Sequence, residues 1–181
     1  GEISQGKKGY RLENFGTIDI APGLIEEGTI KDPETIADSI RQLWKNQAIR
    51  EQNVALSIGG YSVIVKPITM DMMSEEQVHE SIHFEAEQYV PFDINDVNLD
   101  FHILGESQNN PNKIDVILVA AKKELVNDFV DLVQMAGLNP CIIDHEVFAL
   151  QNIFEMNYEA IDESVALIDI GASKTYLNIL K

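Results

Sequence analysis

The sequence has little cysteine and few basic residues. Only one of its 181 residues is a cysteine, Cys141, so a disulfide framework is excluded and we expect a reducing compartment. Lysine and arginine together number 13 against 30 aspartates and glutamates, which gives a net charge of −17. This imbalance argues against binding to nucleic acid and against direct adhesion to an anionic membrane surface.

Long apolar runs are also missing. No stretch approaches the roughly 20 apolar residues that cross a bilayer as a helix, and no secretory signal is recognisable. We therefore expect no direct insertion into a membrane. A length of 181 residues is enough for one domain, or for a domain that carries an insertion.

Strand and helix patterns alternate along the chain. Asp32-Pro33 predicts the start of one helix, and the capping box Ser74-Glu75-Glu76-Gln77 predicts the start of another. Apolar residues alternate with polar ones over 97–103, and the polar loop 106–113 leads into the apolar run 114–121, which together predict an antiparallel hairpin. The pattern indicates an α/β fold with an inserted α+β piece.

Residues 165–180 predict an apolar hairpin that contains a single acid, Asp169, two residues before Gly171. A buried acid is costly unless it has a partner, and a glycine-centred turn exposes backbone N–H groups that hold anions. Two interpretations stay open at this point. The hairpin is either half of a phosphate and magnesium site, or a tight turn capped by its aspartate.

A second motif lies on the predicted helix that starts at Ser74. His79-Glu80-Ser81-Ile82-His83 matches H-E-x-x-H, in which two histidines bind zinc and the glutamate is a general base. No third ligand is recognisable later in the sequence. A surface helix rich in histidine and glutamate matches so short a motif by chance, and a zinc hydrolase is kept only as an alternative.

The same helix departs from simple amphipathic patterning. Glu85 falls on its apolar stripe, whereas Phe84 falls on the opposite, polar side. In an ordinary helix, Glu85 would extend its carboxylate to solvent and a neighbouring strand would cover Phe84. The alternative is a groove that accepts a partner peptide.

Five segments, taken together and in order, resemble the PilM family of type IV pilus assembly proteins. They are S-V-I-V-K-P-I (62–68), S-E-E-Q to F-E-A-E-Q-Y-V-P-F (74–92), V-N-L-D-F (97–101), V-A-A-K-K-E (119–124) and V-A-L-I-D-I-G-A-S-K-T-Y-L-N-I-L (165–180). The resemblance implies an actin-like, FtsA-like half-domain from a larger protein. Residues 1–60 and 137–181 would form its core, and residues 61–136 would form an inserted α+β strand–helix–strand–strand subdomain.

The resemblance also implies that the intact protein binds ATP with Mg²⁺, with slow or no hydrolysis. Asp169 would hold Mg²⁺ through water, and backbone N–H groups of the turn would face the phosphates. The residues that match this phosphate hairpin are Asp169, Gly171, Ala172, Ser173, Lys174 and Thr175. Glu146 would position a water molecule, or would be an acid that stabilises a helix N-terminus. The family's first phosphate hairpin and second half-domain are not found in these 181 residues, so we expect this chain alone to bind little or no nucleotide.

A protein partner follows from the same resemblance. PilM-like proteins capture the N-terminal cytoplasmic tail of PilN, a membrane protein with a single span, and work with other inner-membrane components of the pilus. We therefore expect a cytoplasmic protein held at the inner membrane through its partner, with a role in fimbria biogenesis and twitching motility. An FtsA-like cell-division adaptor is the alternative, because it shares the fold but lacks F-E-A-E-Q-Y-V-P-F.

Residues 84–92 are the expected contacts for that tail. Phe84, Tyr89 and Phe92 would supply aromatic anchors, and Glu85 would supply a hydrogen-bond acceptor. Pro91 would keep the backbone extended where the helix ends. We also expect exposed apolar surface on these 181 residues to favour homodimers or strand exchange.

Overall fold

The computed structural model of this chain describes residues 1–7, 9–26, 28–159, 163–171 and 174–180. Its strands are β1 Glu2–Gly6, β2 Gly9–Asn14, β3 Ile25–Glu26, β4 Thr29–Ile30, β5 Asn53–Ile58, β6 Val63–Asp71, β7 Val97–Glu106, β8 Lys113–Lys122, β9 Asn139–His145, β10 Val165–Ile170 and β11 Thr175–Leu180. Its helices are α1 Pro33–Asn46, α2 Glu75–Ala86, α3 Lys123–Met135 and α4 Glu146–Asn157. In the part of the chain described, none of the helices is both long enough and apolar enough to cross a bilayer.

The chain folds into two compact units. The first unit is Gly1–Ile58 with Asn127–Lys181, and the second unit is Gly59–Val126. The second unit therefore ends inside α3, whereas the sequence predicts an insertion over 61–136 that includes the whole helix. The assignment of residues 61–136 to an inserted domain therefore remains a prediction.

The second unit is an antiparallel sheet with one helix. Strand β8 pairs with both β6 and β7, so the spatial order is β6-β8-β7. Strand β6 is thus an edge strand, where Pro67 is tolerated because it has no N–H to donate to a second neighbour. The predicted order of strand, helix, strand and strand is confirmed, and so is the antiparallel pairing of β7 with β8.

Helix α2 covers one face of that sheet. Every second residue of β8 is buried over most of its length, which is the period of a strand with one face in the core. The helix contributes Val78, Ile82 and Ala86, which recur every four residues and so share one side of it. The buried cluster consists of Ile68, Met70, Val78, Ile82, Ala86, Val90, Val97, Ile114, Val116, Leu118 and Ala120.

Where the structure describes it, the first unit contains four pairs of strands and three helix segments. Strands β1 and β2, β3 and β4, and β10 and β11 form antiparallel pairs, and β5 pairs in parallel with β9. Its buried cluster joins Ile36 and Ala37 of α1 to Leu132 and Ala136 at the end of α3. Helix α4 lies against β5, β9 and β11.

Helix ends follow the signals in the sequence. Asp32 caps α1 through the backbone N–H of Thr35, and the predicted capping box of α2 is present in both directions. After α3, Gly137 adopts a positive φ of 84°, where its missing side chain avoids a clash. The two predicted helix starts are confirmed.

Two sequence predictions about backbone are wrong. The sequence from Gly9 to Ile20 predicts a strand, or a strand pair around Gly16, but β2 ends at Asn14 and residues 15–20 are in no strand. Pro91 is expected to keep the backbone extended where α2 ends, but that helix already ends at Ala86, five residues earlier. The N–H of Tyr89 bonds to the carbonyl of Ala86 and tightens the backbone into a turn, so the helix stops before the proline is reached.

Candidate functional site

The two acids predicted for the nucleotide site line one small concavity. Glu146 is the first residue of α4, and Asp169 lies near the end of β10. The α4 concavity, as we name it, is lined by Glu146, Val147, Leu150, Leu167, Asp169, Tyr176 and Asn178. The tertiary fold thus brings together two carboxylates that are far apart in the sequence.

The strand register explains why Asp169 faces this concavity. Asp169 is paired with Tyr176, and Leu167 is paired with Asn178, in the antiparallel hairpin β10–β11. Because alternate residues of a strand share a face, these four side chains lie on the side of the hairpin that faces α4. The amide of Asn178 donates a hydrogen bond of 3.1 Å to the side chain of Gln151, which ties β11 to α4.

The sequence interpretation of Asp169 as a buried acid is wrong, because its side chain is exposed at the rim of the concavity. An exposed carboxylate keeps its contact with water and does not need a buried partner. It therefore can face a hydrated cation directly. Glu146 is half-buried.

The turn after β10 is tighter than the sequence indicates. The N–H of Gly171 donates a hydrogen bond of 2.9 Å to the carbonyl of Lys174, and a Cβ at Gly171 would lie 3.1 Å from that oxygen. A side chain at Gly171 would therefore require the Lys174 carbonyl to move by a few tenths of an ångström, and the N–H of Gly171 donates within the turn. The contact of the turn's N–H groups with phosphate remains a prediction. Ala172 and Ser173, which were also predicted to contact phosphate, lie outside the described residues.

His145, which the sequence interpretation passed over, contacts Tyr176, a residue that lines the α4 concavity. It is 8% exposed, and its ring lies near the rings of Phe148 and Tyr176. Burial lowers the pKa of His145, while the nearby charges of Glu146 and Asp144 act in the opposite direction. The signal in the sequence is that His145 directly precedes Glu146, an acid already interpreted as lying at a helix N-terminus.

The predicted peptide contacts are divided between two places in the second unit. Phe84 is 70% exposed and Tyr89 is 38% exposed, whereas Glu85 is half-buried and Phe92 packs against the buried cluster. Pro91 is exposed after the end of α2.

A second concavity forms around Phe92. The Phe92 concavity is lined by Phe92, Asp93, Asp96, Lys122, Lys123 and Glu124. Lys122 lies over the Phe92 ring, and Lys123 donates a hydrogen bond of 2.7 Å to the carbonyl of Asn95. Among the described residues, Phe84 and Tyr89 do not line it. The two lysines were missed because their contacts depend on the pairing of β7 with β8.

The H-E-x-x-H motif gains no further ligand from the fold. The ring of His79 lies 6.3 Å from the ring of Phe101, measured between centroids. Within the described ranges, no group of three or more histidine, cysteine, aspartate or glutamate side chains is arranged to hold a metal ion.

Comparison with known proteins places the chain in a family. The family model for type IV pilus assembly protein PilM matches residues 2–181. A solved structure, the PilM-PilN type IV pilus biogenesis complex, contains a chain that is 30% identical, with a TM-score of 0.86. The match covers 99% of this chain and 53% of that chain, so the present chain spans about half the length of its solved relative.

A more distant likeness is to the cytoplasmic domain of EpsL, an inner membrane component of the type II secretion system of Vibrio cholerae. It is 16% identical, has a TM-score of 0.45, and covers 62% of this chain and 44% of that one. This likeness is too weak to inform the fold. The family model and the first structure agree, and the chain belongs to the PilM family of type IV pilus assembly proteins, with the mixed α/β, actin-like fold of that family.

Proposed function

We propose that this chain is the nucleotide-binding and partner-capturing part of a type IV pilus assembly scaffold. The observation that carries the nucleotide half is that Glu146 and Asp169 line the same concavity, beside the glycine turn that follows β10. The partner half is favoured by the match of almost the whole chain to a protein solved as a PilM-PilN complex. We expect the protein to be held at the inner membrane through that partner.

The residues around the α4 concavity suit ATP with Mg²⁺. The exposed carboxylate of Asp169 supplies the oxygen ligands that a hydrated hard cation prefers, and it would hold the ion through water. Bound Mg²⁺ would neutralise charge on the phosphates. Gly171 leaves room at the turn, and Lys174 and Thr175 continue it into β11.

Glu146 has a different role in this proposal. As the first residue of α4 it is fixed by the helix backbone, and its half-buried carboxylate lines the concavity opposite Asp169. A carboxylate in that position orients a water molecule and accepts its proton. Hydrolysis is expected to be slow or absent, as the family resemblance implies.

The roles of the two acids are separable in the intact protein. Glu146→Gln is expected to lower ATP turnover by at least about tenfold, as for a lost general base, and to leave calorimetric ATP affinity within about twofold. Glu159→Gln, at an exposed acid just after the same helix and outside the concavity, is the matched control. A wild-type protein that does not turn over ATP would remove Glu146 from this role.

The N-terminal tail of PilN is the proposed peptide ligand. Phe84 is the side chain best suited to anchor it, because 70% of its surface is exposed and its removal leaves the buried cluster intact. Tyr89 and the half-buried Glu85 would add a second ring and an acceptor nearby in sequence. Aromatic anchors of this kind commonly contribute about 2 kcal/mol or more to a small interface.

A fluorescence anisotropy titration of a labelled PilN tail peptide with this chain tests the partner half. Phe84→Ala is expected to weaken binding by about 30-fold, which corresponds to about 2 kcal/mol. Phe15→Ala is the matched control, since Phe15 is 68% exposed and lies in the first unit. Equal affinity for wild type and both variants would remove Phe84 from the interface.

A further inference from the structure

His145 contacts α4, which carries Glu146, and β11, whose partner strand β10 carries Asp169. It is the last residue of β9 and the N-cap of α4, so Glu146 follows it directly. Its ring lies edge-on to the ring of Tyr176 in β11, with centroids 6.2 Å apart and an interplanar angle of 87°. Tyr176 is in turn the cross-strand partner of Asp169.

The hydrogen bond at the helix start fixes the form of this histidine. The backbone N–H of Val147 donates to Nδ1 of His145 over 3.3 Å. A nitrogen that accepts a hydrogen bond must carry a lone pair, so this bond requires a neutral ring with its proton on Nε2. Protonation of Nδ1 would turn this acceptor into a donor that faces another donor, and would end the cap.

The titratable groups around His145 are few. Asp144 and Glu146 flank it in the chain, and Tyr176 faces it from β11. Strand β5, whose Ile58 is paired with His145, contains no titratable side chain. The ring is also near Phe148 of α4, with centroids 5.8 Å apart. Burial of the ring lowers its pKa, against the opposing effect of the two acids.

We propose that His145, as neutral imidazole, is the positioning residue that holds α4 and the β10–β11 hairpin in register, and that its protonation releases this link. His145 does not line the concavity and acts through the helix start and through Tyr176. Its effect on nucleotide binding rests on the function proposed above. The contacts of His145 with the start of α4 and with Tyr176 exist without nucleotide, so they can be tested on the nucleotide-free protein.

The direction of the pH effect follows from linkage. Because the pKa of His145 is lower in the folded state than its ordinary value of 6.5, the unfolded chain binds more protons as the pH falls below about 6.5. The stabilising contribution of neutral His145 is therefore complete above that pH and is lost as the pH falls towards the folded pKa. The other histidines, His79, His83 and His102, are exposed and are retained in every variant below.

The experiment compares wild type with His145→Asn and His145→Phe by hydrogen exchange and urea unfolding between about pH 7.5 and about pH 5.5. Asparagine keeps a capping acceptor, phenylalanine keeps the ring, and neither titrates in this range. We compare amide exchange rates at the start of α4 and in β11 as the ratio of wild type to each variant. This ratio is expected to rise below pH 6.5, by up to about tenfold per pH unit. The same pH dependence in wild type and in both variants would overturn the proposal.

Calorimetry with ATP and Mg²⁺ on the intact protein separates the two proposals. If His145 positions the site, wild-type affinity falls over the same pH range in which exchange accelerates, and the fall is absent in His145→Phe. A pH-dependent link without nucleotide binding at any pH would overturn the proposed nucleotide site and leave the link standing. Nucleotide binding with no difference in pH dependence between wild type and variants would overturn the role of His145 alone.

Discussion

The ammonium group of Lys122 lies 4.4 Å from the centroid of the Phe92 ring, which it covers from strand β8. Phe92 also packs against the buried cluster of the second unit. Phe92 is thus in contact with Lys122 and with the core, whereas Phe84 is 70% exposed. The two aromatic residues were predicted from sequence as equivalent anchors, but the structure gives them different surroundings.

This difference predicts opposite outcomes for two alanine substitutions. Phe92→Ala is expected to lower the free energy of unfolding by about 2 kcal/mol, through lost packing and the lost contact with Lys122. Phe84→Ala is expected to change it by less than about 0.5 kcal/mol, because the side chain is mostly exposed. Urea unfolding of both variants at neutral pH provides the measurement. A Phe84→Ala variant that loses as much stability as Phe92→Ala would show that Phe84 is a structural residue.

The turn that follows β10 gives a second prediction. A Cβ at Gly171 would lie 3.1 Å from the carbonyl oxygen of Lys174, so Gly171→Ala is expected to cost about 1 kcal/mol of stability. It should also weaken nucleotide binding by the intact protein, since the turn must widen. Gly6→Ala is the matched control, because Gly6 also ends a hairpin strand and its nearest neighbour would be 3.8 Å away. Equal melting temperatures for the two variants would contradict the close approach at Gly171.

A third prediction concerns the face of the β10–β11 hairpin that does not face α4. Ile168, Ile170, Leu177 and Ile179 are between 57% and 80% exposed on that face. Contiguous exposed apolar surface favours association, and we expect these 181 residues to form dimers as concentration rises. Sedimentation velocity over a range of concentrations is the measurement.

Two double substitutions, each of one cross-strand pair of residues, are compared in that experiment. Ile168→Thr with Leu177→Thr should shift the chain towards monomer, because these residues are paired at the centre of the face. Ile3→Thr with Leu12→Thr alters an equally exposed pair in the hairpin β1–β2 and should leave association unchanged. If only the second double substitution reduces association, the dimer forms through the other hairpin.

Local features of this chain could be predicted from sequence because their causes are local. Asp32-Pro33 and Ser74 marked the starts of α1 and α2, since a capping side chain reaches only two or three residues along the chain. The hairpin β7–β8 could be predicted from alternating residues joined by a short polar loop. The local patterns alone indicated an α/β fold with an insertion. The resemblance to a family was needed to predict the actin-like fold.

Features that depend on distant contacts could not be predicted in this way. The exposure of Asp169 depends on how α4 packs against the hairpin that contains β10. The sequence around Asp169 indicated only an apolar hairpin. The contact of His145 with Tyr176 joins residues from two elements that are separated in the chain. Lys122 reaches Phe92 only after β8 has paired with β7. Most of the proposed site residues could therefore be named from the sequence, whereas their surroundings are set by packing between distant elements.

The central claim is that Asp169 contributes to a magnesium-dependent nucleotide site. The most direct measurement is calorimetric titration of the intact protein with ATP, in Mg²⁺ and in EDTA, for wild type, Asp169→Asn and the control Asp128→Asn. Asp128 is an exposed acid on α3 in the same unit, so its substitution removes the same charge away from the α4 concavity. We predict that Asp169→Asn weakens ATP binding in Mg²⁺ by about 10- to 100-fold, as for other residues that hold a metal through water, while Asp128→Asn matches wild type. Equal affinity for all three proteins, or wild-type binding that is the same in EDTA, would contradict the account.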